Sequence, residues 1–139
     1  MDAEGNGIPT LASKGEAASA IFPRSEPTPA QGLNPKALAR AQAYIEQHLG
    51  EAFTLSDLAS AACVSRFHFA RAFRISMGQS PMEYVLQTRI ERAKIALAQG
   101  RQKISAAAAE FGFFDHSHFA RRFRRMTGVS PREFMRIHR

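Results

Sequence analysis

The sequence predicts an all-α protein of about seven helices, and two observations carry this prediction. From residue 34 onward, every glycine and every proline stands where a helix would end or begin. In addition, a segment of roughly thirty residues occurs twice, with the apolar spacing of an amphipathic helix. We find no convincing strand. The pattern therefore favours a helical fold with an internal duplication.

Residues 1–33 are predicted to form a disordered tail. They contain four of the seven prolines and four of the nine glycines, among alanine, serine and threonine. Such a composition lacks the apolar residues that a packed core requires. The segment is also too short and too polar to be a ligand-binding domain. The folded part is therefore expected to span residues 34–139.

Helix starts and stops divide the folded part into elements. Asn-Pro at 34–35 and Ser-Pro at 80–81 and 130–131 each place a capping side chain before proline at the first helical position. Glutamate follows both serines three residues later, which predicts two capping boxes. The predicted helices span residues 35–49, 55–62, 66–76, 81–98, 104–110, 116–126 and 131–137.

Two pairs of these helices have the size of a helix-turn-helix unit. Residues 55–76 would form the first unit and residues 104–126 the second. In each unit the second helix follows a capping residue, Ser65 or Asp115. The helix over 81–98 lies between the units, and we expect this linker helix to set the distance and angle between them.

The second helix of each pair repeats a two-sided pattern. Phenylalanines recur at i and i+4 and are predicted to face the core, as Phe69 and Phe73 in one copy and Phe119 and Phe123 in the other. The face left for solvent is basic. It comprises Arg66, Phe67, Ala70, Arg71 and Arg74 in the first copy, and His116, Ser117, Ala120, Arg121 and Arg124 in the second.

The charge balance indicates a polyanionic partner. Residues 34–139 carry 17 Lys and Arg against 8 Asp and Glu, a net charge of +9, whereas residues 1–33 carry −2. Nucleic acid is the usual partner of such a domain, and an anionic membrane surface is the competitor. We expect no membrane partner, because the aromatic faces are used in the cores and no apolar run could span a bilayer. Without a secretory signal, a cytoplasmic location is expected.

The position of each arginine predicts its contact. In a helix-turn-helix, the second helix enters the major groove led by its N-terminal turns. Arg71 and Arg121 occupy equivalent positions where a long donor would reach base edges, and arginine pairs bidentately with guanine. Arginines later in the helices are better placed for phosphates. These are Arg74, Arg122, Arg124 and Arg125.

Specific motifs resemble the DNA-binding domain of the AraC/XylS family of bacterial transcription regulators. They are GFFDHSHFARRFRRMTGVSPREF at 112–134, SRFHFARAFR at 65–74, GQSPMEY at 78–84 and RIERAKIAL at 89–97. The resemblance implies two recognition helices in successive major-groove segments of double-stranded DNA, and regulation, most often activation, through RNA polymerase. It implies base reading by Arg66, Phe67, Ala70, Arg71, His116, Ser117 and Arg121.

The chain departs from the family pattern in two places. Cys63 stands where the family commonly has glycine, so the first turn must avoid a left-handed conformation or bear its strain. We expect this thiol to be buried and inert. Many members also carry a large N-terminal sensor domain. Only the tail precedes the motif here, so effector binding is not carried over.

Other functional classes fit less well. An enzyme needs a chemical constellation, and His116 and His118 lie about 200° apart around a helix, so they cannot share a metal. We therefore expect no catalysis, metal or cofactor. The remaining alternative is a module that binds RNA polymerase or another regulator without reading DNA, which would not need Arg71 and Arg121 at equivalent sites. Two reading helices in one chain predict a monomer on DNA.

Overall fold

The computed structural model describes residues 31–100 and 102–138, so most of the predicted tail lies outside the described residues. Across these two ranges the chain forms seven α-helices and no strand, which confirms the all-α prediction. The helices are α1 (Pro35–Gln47), α2 (Leu55–Ala62), α3 (Arg66–Met77), α4 (Pro81–Ala98), α5 (Ile104–Glu110), α6 (His116–Thr127) and α7 (Pro131–Ile137). Their bounds differ from the predicted ones by two residues at most.

The predicted capping residues begin their helices. The Asn34 side chain accepts a hydrogen bond from the backbone N–H of Ala37 at 2.9 Å, and each helix that starts Ser-Pro is capped by its serine in the same way. The two predicted capping boxes do not form, because the Glu83 carboxylate pairs with Arg122 and the Glu133 carboxylate with Arg136 instead of accepting from the serine N–H. A reciprocal box forms instead at the start of α2.

The folded part begins earlier than predicted. Leu33 is buried, and its backbone N–H donates a hydrogen bond to the Ser76 hydroxyl at 2.9 Å. Gly32 lies so close to the same serine that a Cβ at this position would clash with it. Gly32 and Leu33 therefore belong to the folded unit rather than to the tail, because they pack against the end of α3.

Two hydrophobic cores share the linker helix α4. The first contains Phe69 and Phe73, together with Val85 from the start of α4. The second contains Phe119 and Phe123, together with later residues of α4. Each buried phenylalanine contributes about 1.5–3 kcal/mol. Since α4 has one end in each core, it connects the two helix-turn-helix units.

The aromatic packing is duplicated along with the sequence. Phe73 meets Tyr84 edge to face at a centroid distance of 5.4 Å, and Phe123 meets Phe134 in the same manner at 5.3 Å. These pairs occupy equivalent repeat positions. The two units are therefore copies in packing as well as in pattern, and their second helices have the same buried face.

The turn between the two helices of each unit is left-handed. Cys63 has φ 64°, and its repeat equivalent Gly112 has φ 90°. In both turns the following residue donates its N–H to the same helix position, from Val64 to Ala59 and from Phe113 to Ala108. Cys63 is exposed, so the expectation of a buried thiol is wrong. The reason is that the left-handed turn directs this side chain away from the core.

Candidate nucleic-acid interface

The outer face of α3 carries the predicted base-reading residues. Ser65 caps the helix by accepting a hydrogen bond from the N–H of His68, and Phe69 and Phe73 fix its buried face. Arg66, Phe67, Arg71 and Arg74 are exposed, and Ala70 is half-buried. The helix contains no acidic residue. This face therefore combines guanidinium groups with one apolar ring.

Phe67 is 72% exposed, although phenylalanine is usually buried. The guanidinium carbon of Arg66 lies 5.0 Å from the centre of its ring, within the range of a cation–π contact. The ring thus contributes to the exposed face and not to a core.

An open cleft of about 560 Å³ runs between the start of α2 and the outer face of α3. It is lined by Thr54, Leu55, Ser56, Arg66, Phe67, Ala70 and Arg71. Four of the seven predicted base-reading residues therefore share one concave surface. A backbone phosphate could contact the start of α2 while the arginines reach past it.

The outer face of α6 carries the second set. Asp115 caps this helix by accepting hydrogen bonds from the N–H groups of Ser117 at 2.9 Å and His118 at 3.4 Å. His116, Ser117 and Arg121 are exposed beyond this cap, while Ala120 is half-buried. Arg124 and Arg125 are exposed in the last turns, and α6 also lacks acidic residues.

Arg122 has a different environment from the other arginines of α6. Its side chain is only 15% exposed, and its guanidinium forms an ion pair with Glu83 of α4 at 2.7 Å. The phosphate contact predicted for Arg122 stays a prediction, and this ion pair weighs against it because the pair would have to break. Arg122 instead joins α6 to the start of α4.

Phe114 is not among the predicted site residues, yet it is 76% exposed directly before the cap of α6. In the first copy, Val64 takes the place before the cap and packs on its core. In the second, Phe113 takes the equivalent packing role and meets Phe119 edge to face at 5.1 Å. Phe114 is an extra residue of the second copy, because Val64 directly precedes the capping Ser65 whereas Phe114 separates Phe113 from the capping Asp115. Equivalent residues of the two copies are 49 apart before this insertion and 50 apart after it, and this change of offset was the signal that could have identified Phe114.

Among residues 31–100 and 102–138, no three His, Cys, Asp or Glu side chains come together as metal ligands. No helix in the same ranges is both long and apolar enough to cross a membrane.

Known proteins that are similar to this chain are helix-turn-helix transcription regulators. A family model described as a helix-turn-helix domain matches residues 58–137. The chain is 34% identical over 79 residues to the HTH-type transcriptional activator Btr of Bacillus subtilis, covering 57% of this chain and 15% of Btr. Across the curated relatives Btr and YbfI of that organism, the chain spans about a quarter of the length or less.

Solved structures share the fold. An AraC-type transcriptional regulator from Chromobacterium violaceum superposes with a TM-score of 0.69 at 28% identity, over 73% of this chain and 91% of that one. The DNA-binding domain of AdpA, a global transcriptional factor solved in complex with a target DNA, superposes with a TM-score of 0.71 at 30% identity, over 75% of this chain and 94% of that one.

Proposed function

The chain belongs to the AraC-type family of helix-turn-helix transcription regulators, and from this premise we propose that it reads a specific double-stranded DNA site with α3 and α6. The family consists of DNA-binding regulators and not of enzymes. The observation that carries the proposal is the exposure of Arg71 and Arg121 at equivalent positions of two acid-free helices. A solvated charged face would not need both.

Base reading is assigned to the first turns of each helix. Arg71 and Arg121 would each pair with the O6 and N7 acceptors of a guanine, which discriminates by about 1–3 kcal/mol. Ala70 and Ala120 are small and half-buried, so they let the helix approach the base edges. The remaining base contacts of the proposal are Arg66, Phe67, His116 and Ser117.

Phosphate contacts are assigned to Arg74, Arg124 and Arg125, which lie later in the two helices and are exposed. We exclude Arg122 from this set, because its ion pair with Glu83 already occupies the guanidinium. We add Phe114 at the edge of the second site. Its exposed ring lies next to the residues that begin α6, where it would contact a thymine methyl group or a sugar.

The linker helix has a length that suits this arrangement. With 18 residues, α4 spans about 27 Å, which is close to the roughly 34 Å of one DNA turn. We propose that α3 and α6, which both pack against this helix, enter successive major-groove segments on one face of the DNA. We therefore propose one chain per asymmetric site of about 20 base pairs. Ultracentrifugation of the complex tests this, and two chains per site or a palindromic site would contradict it.

We further propose that the protein acts in the bacterial cytoplasm as an activator, through contact with RNA polymerase. Support comes from Btr, which is described as a transcriptional activator, and from AdpA, which is described as a global transcriptional factor. In vitro transcription from a promoter carrying the selected site, with and without the protein, distinguishes activation from repression.

Selection of bound sequences from a random DNA pool tests the main proposal. The expected result is a site with two separated informative segments, one for each helix. If no sequence were enriched while the protein still bound purified RNA polymerase, the alternative of a protein-binding module would replace this proposal.

A further inference from the structure

Arg89 is a buried arginine in the middle of α4, only 9% exposed. Its Nε donates a hydrogen bond to the Leu49 carbonyl oxygen at 3.0 Å, and its Nη2 donates to the Glu51 carbonyl oxygen at 2.7 Å. Both carbonyls belong to the loop after α1, residues 48–54, which we call loop 1. The guanidinium also lies over the Phe53 ring of this loop, 5.2 Å from its centre.

Burial of this group is costly and requires compensation. A buried cation loses its hydration, and for the same reason burial lowers the pKa of the Arg89 guanidinium. Its hydrogen bonds to loop 1 offset part of that cost. Such a residue holds α4 in one position against the first helix-turn-helix unit.

The opposite side of Arg89 meets the second unit. A Cβ placed on Gly112, in the turn between α5 and α6, would lie 2.9 Å from the Cζ and Nε atoms of Arg89 and 2.8 Å from the Leu49 carbonyl oxygen. A Cβ on Gly50 of loop 1 would clash with the Glu110 carbonyl oxygen. Loop 1 and the second turn are therefore in backbone contact. We call Gly50, Arg89 and Gly112 the joint.

Comparison of the two turns shows that this contact is additional to the needs of a helix-turn-helix. Cys63 holds the equivalent left-handed conformation with a side chain, so the turn itself does not exclude a Cβ. At Gly112 the space is taken by loop 1 and Arg89. Phe111, next to Gly112, packs against both cores. The joint is thus a direct connection between the two units, beside the linker helix.

We propose that the joint fixes the orientation of α3 relative to α6, so that the affinity for DNA depends on the spacing between the two halves of the site. This inference rests on the proposed function. Apart from Arg89, the buried contact of the first unit with α4 lies near the start of this helix, at Val85. A buried contact in the middle of α4 therefore restricts rotation of one unit relative to the other. Arg89 is a positioning residue, because it acts through loop 1 and not on DNA.

The experiment compares the selected site with versions that have one base pair inserted or removed between its halves. The measured quantity is the ratio of the dissociation constant for altered spacing to that for native spacing. For the wild type we expect a ratio of about ten or more, because a rigid protein loses its second contact when the geometry is wrong. For Arg89→Met, which keeps the apolar stem, we expect weaker binding at native spacing and a ratio of about three or less.

Two further variants keep the test decisive. Gly50→Ala pushes loop 1 away from Glu110 without backbone strain, since Gly50 has no left-handed φ, and it should lower the ratio as well. Arg92→Met is the matched control. Arg92 pairs with Glu46 of α1 from the same helix, but the two side chains are 41% and 47% exposed, so the ratio should stay at the wild-type value.

Equal weakening at every spacing by Arg89→Met and Gly50→Ala, with an unchanged ratio, would show that the joint only stabilises the fold. If Arg89→Met lacked a cooperative thermal transition, Gly50→Ala would decide alone. Failure of the proposed function can be distinguished from failure of this inference, because the wild type would then show no preference between DNA sequences at all.

Discussion

Arg71 on α3 and Arg121 on α6 each lie six residues after the capping residue of their helix, and both are exposed. Each lies between two buried phenylalanines of its own helix, so the two side chains leave their helices in the same direction relative to the core. The duplication has therefore preserved a long donor at the same point of two exposed faces. Two equivalent readers in one chain are the basis of the predictions that follow.

The arginines of α6 should separate into two classes by their response to salt. Arg124→Gln should make the slope of log affinity against log salt shallower by about one unit, because one phosphate contact and its released counterion are lost. Arg122→Gln is the matched control and should leave the slope unchanged while lowering the melting temperature, since it breaks the ion pair with Glu83. Titrations at several salt concentrations measure both slopes. A shallower slope for Arg122→Gln would show that Arg122 does contact a phosphate.

The left-handed turn at Cys63 should be a site of strain. Cys63→Gly should stabilise the protein by up to about 1 kcal/mol, because a left-handed residue with a Cβ costs roughly 1–2 kcal/mol. The gain is smaller than this strain, since glycine has more conformational freedom in the unfolded chain and loses more entropy on folding. Denaturant unfolding gives the change in the free energy of unfolding. Gly112→Ala is the comparison and should destabilise, since its Cβ meets Arg89 and Leu49. A destabilised Cys63→Gly would mean that the thiol has a contact worth more than the strain.

Phe114 should contribute to binding and not to folding. Phe114→Ser should weaken affinity for the selected site by about 1–2 kcal/mol, the value of partly burying a phenylalanine, and leave the melting temperature unchanged. Phe113→Ser should instead unfold the second unit, because Phe113 is buried against Phe119. Paired binding and thermal measurements compare the variants. Unchanged affinity for Phe114→Ser would remove this residue from the interface.

The sequence predicted the helices well because their boundaries are local. Proline after a capping side chain, and glycine in a left-handed stop, act within a few residues, and the spacing of Phe69 and Phe73 decides which face is buried. The duplication predicted that the two units pack alike. All of these features depend on neighbours along the chain.

Contacts between distant segments could not be read from the sequence. Arg122 looks like its neighbours in a basic run, and only the fold brings Glu83, 39 residues earlier, within reach of it. Arg89 lies 40 residues from its Leu49 partner, and a periodic pattern does not tell a buried arginine from an exposed one. The residue type of Cys63 predicts a buried thiol in the first turn, but the left-handed backbone at this position leaves the side chain exposed.

The most direct test of the central claim, that one chain reads DNA with two helices, combines protein and DNA changes in one cycle. Affinities of the wild type, Arg71→Ala and Arg121→Ala are measured for the selected site and for sites altered in either half. Each variant should lose about 1–3 kcal/mol on the selected site and become indifferent to base changes in one half only, a different half for each arginine. If both variants lost discrimination in the same half, or lost affinity equally for every sequence, the two-helix account would be contradicted.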